Sequence, residues 1–283
     1  MLPAGSVTNQ SADMPKTSLD LHALPLGTGK STATPTRGLL ERCGGTPSGG
    51  PPVRTPPWVG ASTWDITQKV AVAGSVAWSS TGKGQHVGSN LVVSGNGLPH
   101  RSGVFPVASS DPAFAYNPNP GSVLEHAVDL SLPYDPVAAV AESCETGEVG
   151  IAIDGILILD AFDAGGNDAD AVEVQDTCHG HPNEHAGYHY HGLSPCLLDA
   201  TSRRTTSLVG WALDGYGIYV EYDGSGRLLT NSSLDGCHGR TSVVPWHGAM
   251  QQTYHYDMTY EFPYTVGCFH GTPVATGPGG PPG

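Results

Sequence analysis

"VGIAIDGILILDAFDAGG" (Val149–Gly166) can be laid over "VGWALDGYGIYVEYDGSG" (Val209–Gly226) without a gap, and eight of the eighteen positions are identical. Each stretch carries Asp-Gly between apolar flanks, at Asp154-Gly155 and Asp214-Gly215. That pair favours a two-residue type I′ hairpin, in which both central residues take positive φ. Both aspartates are therefore read as turn residues rather than catalytic ones. Downstream of each hairpin comes Cys-His-Gly, at Cys178–Gly180 and Cys237–Gly239, and then Tyr-His-Tyr, at Tyr188–Tyr190 and Tyr254–Tyr256. The same order occurring twice predicts two copies of one unit, at about 149–196 and 209–268, related by a pseudo-two-fold axis.

Working outward, the remaining apolar residues also fall in short runs between turn signals, such as "SNLVVSG" and "HAVDLSLPYDP". Runs of this length with Gly and Pro punctuation read as strands. "DPVAAVAESC" (Asp135–Cys144) is the one stretch that suits a short helix, with Pro136 near its start, where proline is tolerated. The fold class is therefore mainly β, built of duplicated hairpin and strand units with long disulfide-stapled loops and little helix. Residues 1–60 are rich in Thr, Ser, Pro and Gly, show no period, and read as a low-complexity or disordered segment. The β domain is expected over 61–272, followed by a Gly/Pro-rich tail at 273–283.

Only 13% of the 283 residues are charged and the net charge is −14. That argues against nucleic acid and anionic membranes as partners, since both need basic stripes. No apolar run approaches the roughly 20 residues of a membrane helix. No P-loop, dinucleotide fingerprint, GxSxG elbow or HExxH helix is present.

Five histidines fall within Cys178–Gly192. Side chains i and i+2 of a strand share a face, so His189 and His191 point one way and Tyr188 and Tyr190 the other. In the second unit His255 and Asp257 share a face in the same manner. If the pseudo-dyad sets the two Tyr-His strands side by side, His189, His191, His255 and Asp257 converge on one centre. Such a donor set suits Zn²⁺, Cu²⁺ or Fe²⁺ rather than the oxygen-seeking Ca²⁺ or Mg²⁺. The competing reading is a hydrogen-bonded seam without metal. His179, His181 and His238, in the preceding loops, stand as alternate ligands. His185 is a further loop histidine, and Glu184 and Asp176 could orient ligand imidazoles.

The six cysteines follow the repeat. Symmetry suggests Cys178–Cys196 and Cys237–Cys268, each locking a Tyr-His strand into its own loop, and leaves Cys43–Cys144. An even, stapled set implies an oxidising compartment. No secretory signal is visible in residues 1–30, so an extracytoplasmic location implies a leader outside this sequence; the opposing reading is an intracellular chain with reduced thiols. Asn9-Gln10-Ser11 and Asn231-Ser232-Ser233 are sequons. The acidic run Asp160–Asp176 does not match an EF-hand and reads as a solvated loop.

Taken together, "FPVASSDPAFAYNPNPGSV" (Phe105–Val123), the first hairpin with its "DTCHGHP", Tyr188–His191, "LVGWALDGYGIYV" and "YHYDMTYEFPYTVGCFHG" resemble the YHYH-domain family over about residues 100–271. The resemblance implies an extracytoplasmic protein; the family itself brings no settled activity. The chain departs from it at Asp257, where the closing motif usually ends in His, and in a longer Arg240–Gln252 segment. Asp257 excludes a four-histidine site and favours Zn²⁺ or Cu²⁺ over Cu(I). Three functions follow: a transition-metal-binding protein, a metal-dependent hydrolase or oxidoreductase on the same residues, or a metal-free structural module.

Overall fold

The structure, a computed structural model, describes residues 14–49, 54–119, 121–183, 187–198 and 204–275. At its centre is one eight-stranded sheet. Its strands are β1 (Glu148–Ala152), β2 (Leu157–Leu159), β3 (Gly180–Asn183), β4 (Gly187–Tyr190), β5 (Ser207–Ala212), β6 (Gly217–Val220), β7 (Gly239–Trp246) and β8 (Ala249–Asp257). They lie in the order β3-β4-β2-β1-β5-β6-β8-β7. The hairpin strands β1 and β5 pair antiparallel in the middle. On each side the second hairpin strand then pairs in parallel with the Tyr-His strand, β2 with β4 and β6 with β8. The Cys-His-Gly strand closes each flank antiparallel, β3 on β4 and β7 on β8. Pairing order outward from the β1–β5 seam is thus the same in both halves.

The turns that join the hairpins differ from expectation. The amides of Gly155 and Gly215 bond the carbonyls of Ala152 and Ala212, both at 2.9 Å, and Ala152 and Ala212 donate in turn to Ile156 and Tyr216. Only the glycines take positive φ, 83° and 90°. A type I′ turn would need positive φ at the aspartates too, and neither has it. The physical reason lies in the aspartate side chains. Asp154 accepts the Ile156 amide and the Tyr190 hydroxyl, and Asp214 accepts the Tyr216 amide and the Tyr256 hydroxyl. The aspartates are structural, but as acceptors for the tyrosines of the Tyr-His strands.

Three further sequence expectations are corrected. Asp135–Cys144 contains a strand, Ala138–Ser143, which pairs with Phe269–Gly271; edge pairing beside the Cys43–Cys144 bond overrides the helix propensity of its alanines. The acidic run is not solvated: Asp160, Asp163, Asp168, Asp170 and Asp176 are all buried. Asp168 caps the single helical turn Ala169–Val172 and accepts the Tyr264 hydroxyl and the Gly27 amide. The described part of residues 1–60 is packed rather than loose. Leu24 and Leu40 are buried, Leu24–Pro25 pairs with Thr63–Trp64, and Glu41 donates to Gly267. Its strands are two residues long, too short for any period to register.

All three disulfides match the expected pairing, Cys43–Cys144, Cys178–Cys196 and Cys237–Cys268, with Cα separations of 5.1, 5.1 and 4.5 Å. No helix among the described residues is long and apolar enough to cross a membrane.

Candidate metal centre

The two Tyr-His strands do not lie side by side. Between β4 and β8 stand β2, β1, β5 and β6, so at the usual strand spacing of about 4.8 Å the two motifs are roughly 24 Å apart. His189 and His191 therefore do not share a centre with His255 and Asp257. Strand order runs outward from the central hairpins on each side, and this sends the two histidine strands to opposite flanks of the sheet. Two separate groups result: His181, His189 and His191, and Glu221, His255 and Asp257, each with its ligand-type atoms within 4.8 Å of one another.

Strand alternation builds the first group. On one face of β4, Tyr188 donates to Asp176 at 2.9 and 3.0 Å, and Tyr190 donates to Asp154 at 3.0 Å. On the other face, His189 and His191 turn their rings together. Carbonyl oxygens only accept, so the bonds from His189 Nδ1 to Gly187 O (2.9 Å) and from His191 Nδ1 to Asp160 O (2.5 Å) place a proton on each Nδ1. The two Nε2 atoms then face each other at 3.2 Å. His181, opposite His189 in the β3–β4 ladder, brings a third imidazole. Its Nδ1 lies 3.4 Å from Asn119 Nδ2. Glu173, the residue that ends the Asp168-capped turn, sets Oε2 3.2 Å from both His181 Nε2 and His191 Nε2.

The electrostatics suit a bound cation. All three histidines are buried, and His181 Nε2 and Glu173 Oε2 are buried against each other at 3.2 Å as an ion-pair contact. Burial and the two neighbouring imidazoles hold His189 well below the usual histidine range. Against burial, the Glu173 carboxylate pushes His191 up to about 9, and the imidazoles hold Glu173 well below the usual carboxylate range. Two locked Nε2 lone pairs this close need a positive charge between them, a proton or a metal ion. The group opens on a cavity of about 580 Å³ lined by His189, His191, Glu173, Asp163, Phe162 and Arg42 among others. Arg42 also pins Asp160, the residue whose carbonyl holds His191, at 2.7 Å.

Of the alternates, His181 joins this group, while His179 and His238 join neither. Their backbones explain them: both take left-handed conformations, φ 58° and 69°, at matched turns. Each turn is held by the aspartate two residues before the cysteine, Asp176 accepting the Cys178 amide and Asp235 the Cys237 amide. A side chain on the glycine that follows, Gly180 or Gly239, would strike the ring of Tyr188 or Tyr254. Cys-His-Gly is thus a turn motif. His238 bonds Thr259 Oγ1 at 3.1 Å, and burial lowers it to about 3. Asp176 holds this turn and the Tyr188 hydroxyl rather than a ligand imidazole. Glu184 and His185 lie outside the described residues.

A family model described as YHYH protein matches residues 129–233. That segment of the chain is similar to the YHYH family. The YHYH segment contains the first group whole, with both hairpins and Glu221, and stops short of His255 and Asp257. No curated protein and no solved structure matches the chain.

Sequence reasoning missed Glu173 and Glu221. Glu173 sits in the acidic run, which reads as solvated from sequence alone, and it directly follows the Asp168-capped turn Ala169–Val172. Glu221 follows β6 directly, and only the β6–β8 pairing brings it to His255.

Proposed function

We propose that the chain is an extracytoplasmic metal-binding protein whose first centre, His181, His189, His191 and Glu173, holds Zn²⁺ or Cu²⁺. The observation that carries this reading is the 3.2 Å approach of two Nε2 atoms whose Nδ1 protons are fixed by carbonyls. Ligand imidazoles ordinarily donate their other N–H in this way. Nitrogen ligands at about 2.0–2.1 Å from one ion sit about 3.4 Å apart in a tetrahedron. A three-histidine set with one carboxylate fits zinc or copper. The disulfides support an oxidising compartment, as does the family's extracytoplasmic character.

The adjoining cavity favours a second reading, a metal-dependent hydrolase or oxidoreductase on the same residues, since such a site needs an open coordination position facing a pocket. The test common to both uses protein purified without a histidine tag, stripped with chelator and titrated with Zn²⁺. The double change His189→Ala and His191→Ala abolishes tight binding at this centre and leaves the near-ultraviolet circular dichroism intact. Zn²⁺ binding of unchanged stoichiometry and affinity in that variant sinks the proposal and leaves the metal-free seam.

A further inference from the structure

We infer that the second half of the sheet holds a second, separate divalent cation on His255, Asp257 and Glu221, an oxygen-rich centre different in chemistry from the first. The key residue is Asp257. Its side chain is fully buried and neither carboxylate oxygen has a hydrogen-bond partner. A buried ionised carboxylate without donors is costly enough that such groups are normally paired, protonated or metal-bound. His255 supplies the second observation. Its Nδ1 bonds the Thr253 carbonyl at 3.1 Å, two residues back, as His189 bonds Gly187. The proton is again fixed on Nδ1, and Nε2 is aimed at Glu221 Oε2 (3.0 Å) and Asp257 Oδ2 (3.6 Å).

The register of the two halves explains why the donor sets differ. His255 stands where His189 stands, Asp257 where His191 stands, and Arg240 lies opposite His255 as His181 lies opposite His189. A guanidinium cannot ligate a cation. It makes no hydrogen bond to Asp257, whose oxygens have no partner. Three protein donors remain, one nitrogen and two carboxylates. Such a set accepts harder ions, Mn²⁺ among them, better than the three-imidazole set does. Glu221 is further held by Ser242 Oγ at 3.2 and 3.3 Å. The rival arrangement fills the same space with a proton: an imidazolium on His255 and the Arg240 guanidinium balance the two carboxylates with no ion.

The probe is Mn²⁺ itself, added to the chelator-stripped, disulfide-intact full chain and followed by electron paramagnetic resonance. The wild type binds one equivalent, the His189→Ala/His191→Ala variant retains it, and Asp257→Asn, which keeps the side-chain shape, loses it. Glu221→Gln, an independent variant, weakens it at least tenfold. With Zn²⁺ the wild type binds two equivalents, and Asp257→Asn and the double histidine variant bind one each. Failure of the first centre would show as a double variant that binds as much Zn²⁺ as wild type. The second centre is overturned if wild type binds no Mn²⁺, or if neither Asp257→Asn nor Glu221→Gln changes Mn²⁺ affinity by more than threefold.

Discussion

Replacing Tyr190 and Tyr256 by phenylalanine tests the division of labour along the Tyr-His strands. Neighbouring residues of a strand face opposite ways, so the hydroxyls serve the fold and the imidazoles serve the ion. Phenylalanine keeps the ring and removes only the hydroxyl. In Tyr190→Phe, Asp154 loses the 3.0 Å bond and keeps the Ile156 amide. A hydrogen bond to a charged group contributes about 1.5–3 kcal/mol, so a loss of about 2 kcal/mol is expected. Tyr256 carries more. It donates to Asp214 at 2.6 Å and accepts the His270 amide at 2.8 Å. Removing it breaks both bonds, and a neutral bond adds about 1 kcal/mol, giving about 3 kcal/mol in all. The two sites share no partner and lie on β4 and β8, so the double variant loses about 5 kcal/mol by additivity. Urea unfolding followed by tryptophan fluorescence, with disulfides intact, measures these values, and Zn²⁺ titration of the same variants shows unchanged stoichiometry. Losses below about 0.5 kcal/mol in both single variants, or loss of Zn²⁺ binding without unfolding, refute the reasoning.

Removing the Cys43–Cys144 bond, whose ends are 101 residues apart, destabilises by about 4–5 kcal/mol, whereas removing Cys178–Cys196, 18 residues apart, costs about 3 kcal/mol; paired Cys→Ser variants compared by urea midpoint check the order. Lys69 is fully buried, donates to the Asp170 carbonyl and Gln175 Oε1, and burial lowers it to about 8. Because its folded pKa is depressed below its unfolded value of 10.5, the folded state carries a penalty below about pH 8 that is relieved as pH rises toward 10.5. Wild type should therefore gain about 2 kcal/mol relative to Lys69→Met between pH 7 and 9.5; a pH-independent difference contradicts the burial of a charged amine.

What the sequence makes legible here is local and repeated. Alternation alone assigns Tyr188 and Tyr190 to one face and His189 and His191 to the other, and the cysteines matched by the repeat point to Cys178–Cys196 and Cys237–Cys268 and leave Cys43–Cys144, the three bonds the structure has. What it hides is how the units join. The β1–β5 pairing rests on apolar runs that any strand could satisfy, and the parallel β2–β4 and β6–β8 pairings depend on long connections with no sequence rule. One shared four-ligand centre was therefore a natural expectation, and the topology separates it into two. Glu173 is invisible for the same reason: a buried carboxylate in an acidic run looks like a solvated one until Asp168 and Tyr264 are seen to fix the turn before it. The packed N-terminal segment escapes because its order comes from hydrogen bonds to distant loops, such as the Leu228 amide to the Lys16 carbonyl and the Gly27 amide to the Asp168 carboxylate, rather than from a periodic apolar face.

The most direct measurement is anomalous diffraction at the zinc edge from crystals of the untagged protein grown with Zn²⁺. A metal-binding first centre gives a peak about 2.0–2.1 Å from the Nε2 atoms of His181, His189 and His191, with Glu173 Oε2 at about 2.0–2.2 Å or joined through water. A map with no peak among these side chains, and His191 instead bridging His189 and Glu173 through hydrogen bonds, contradicts it.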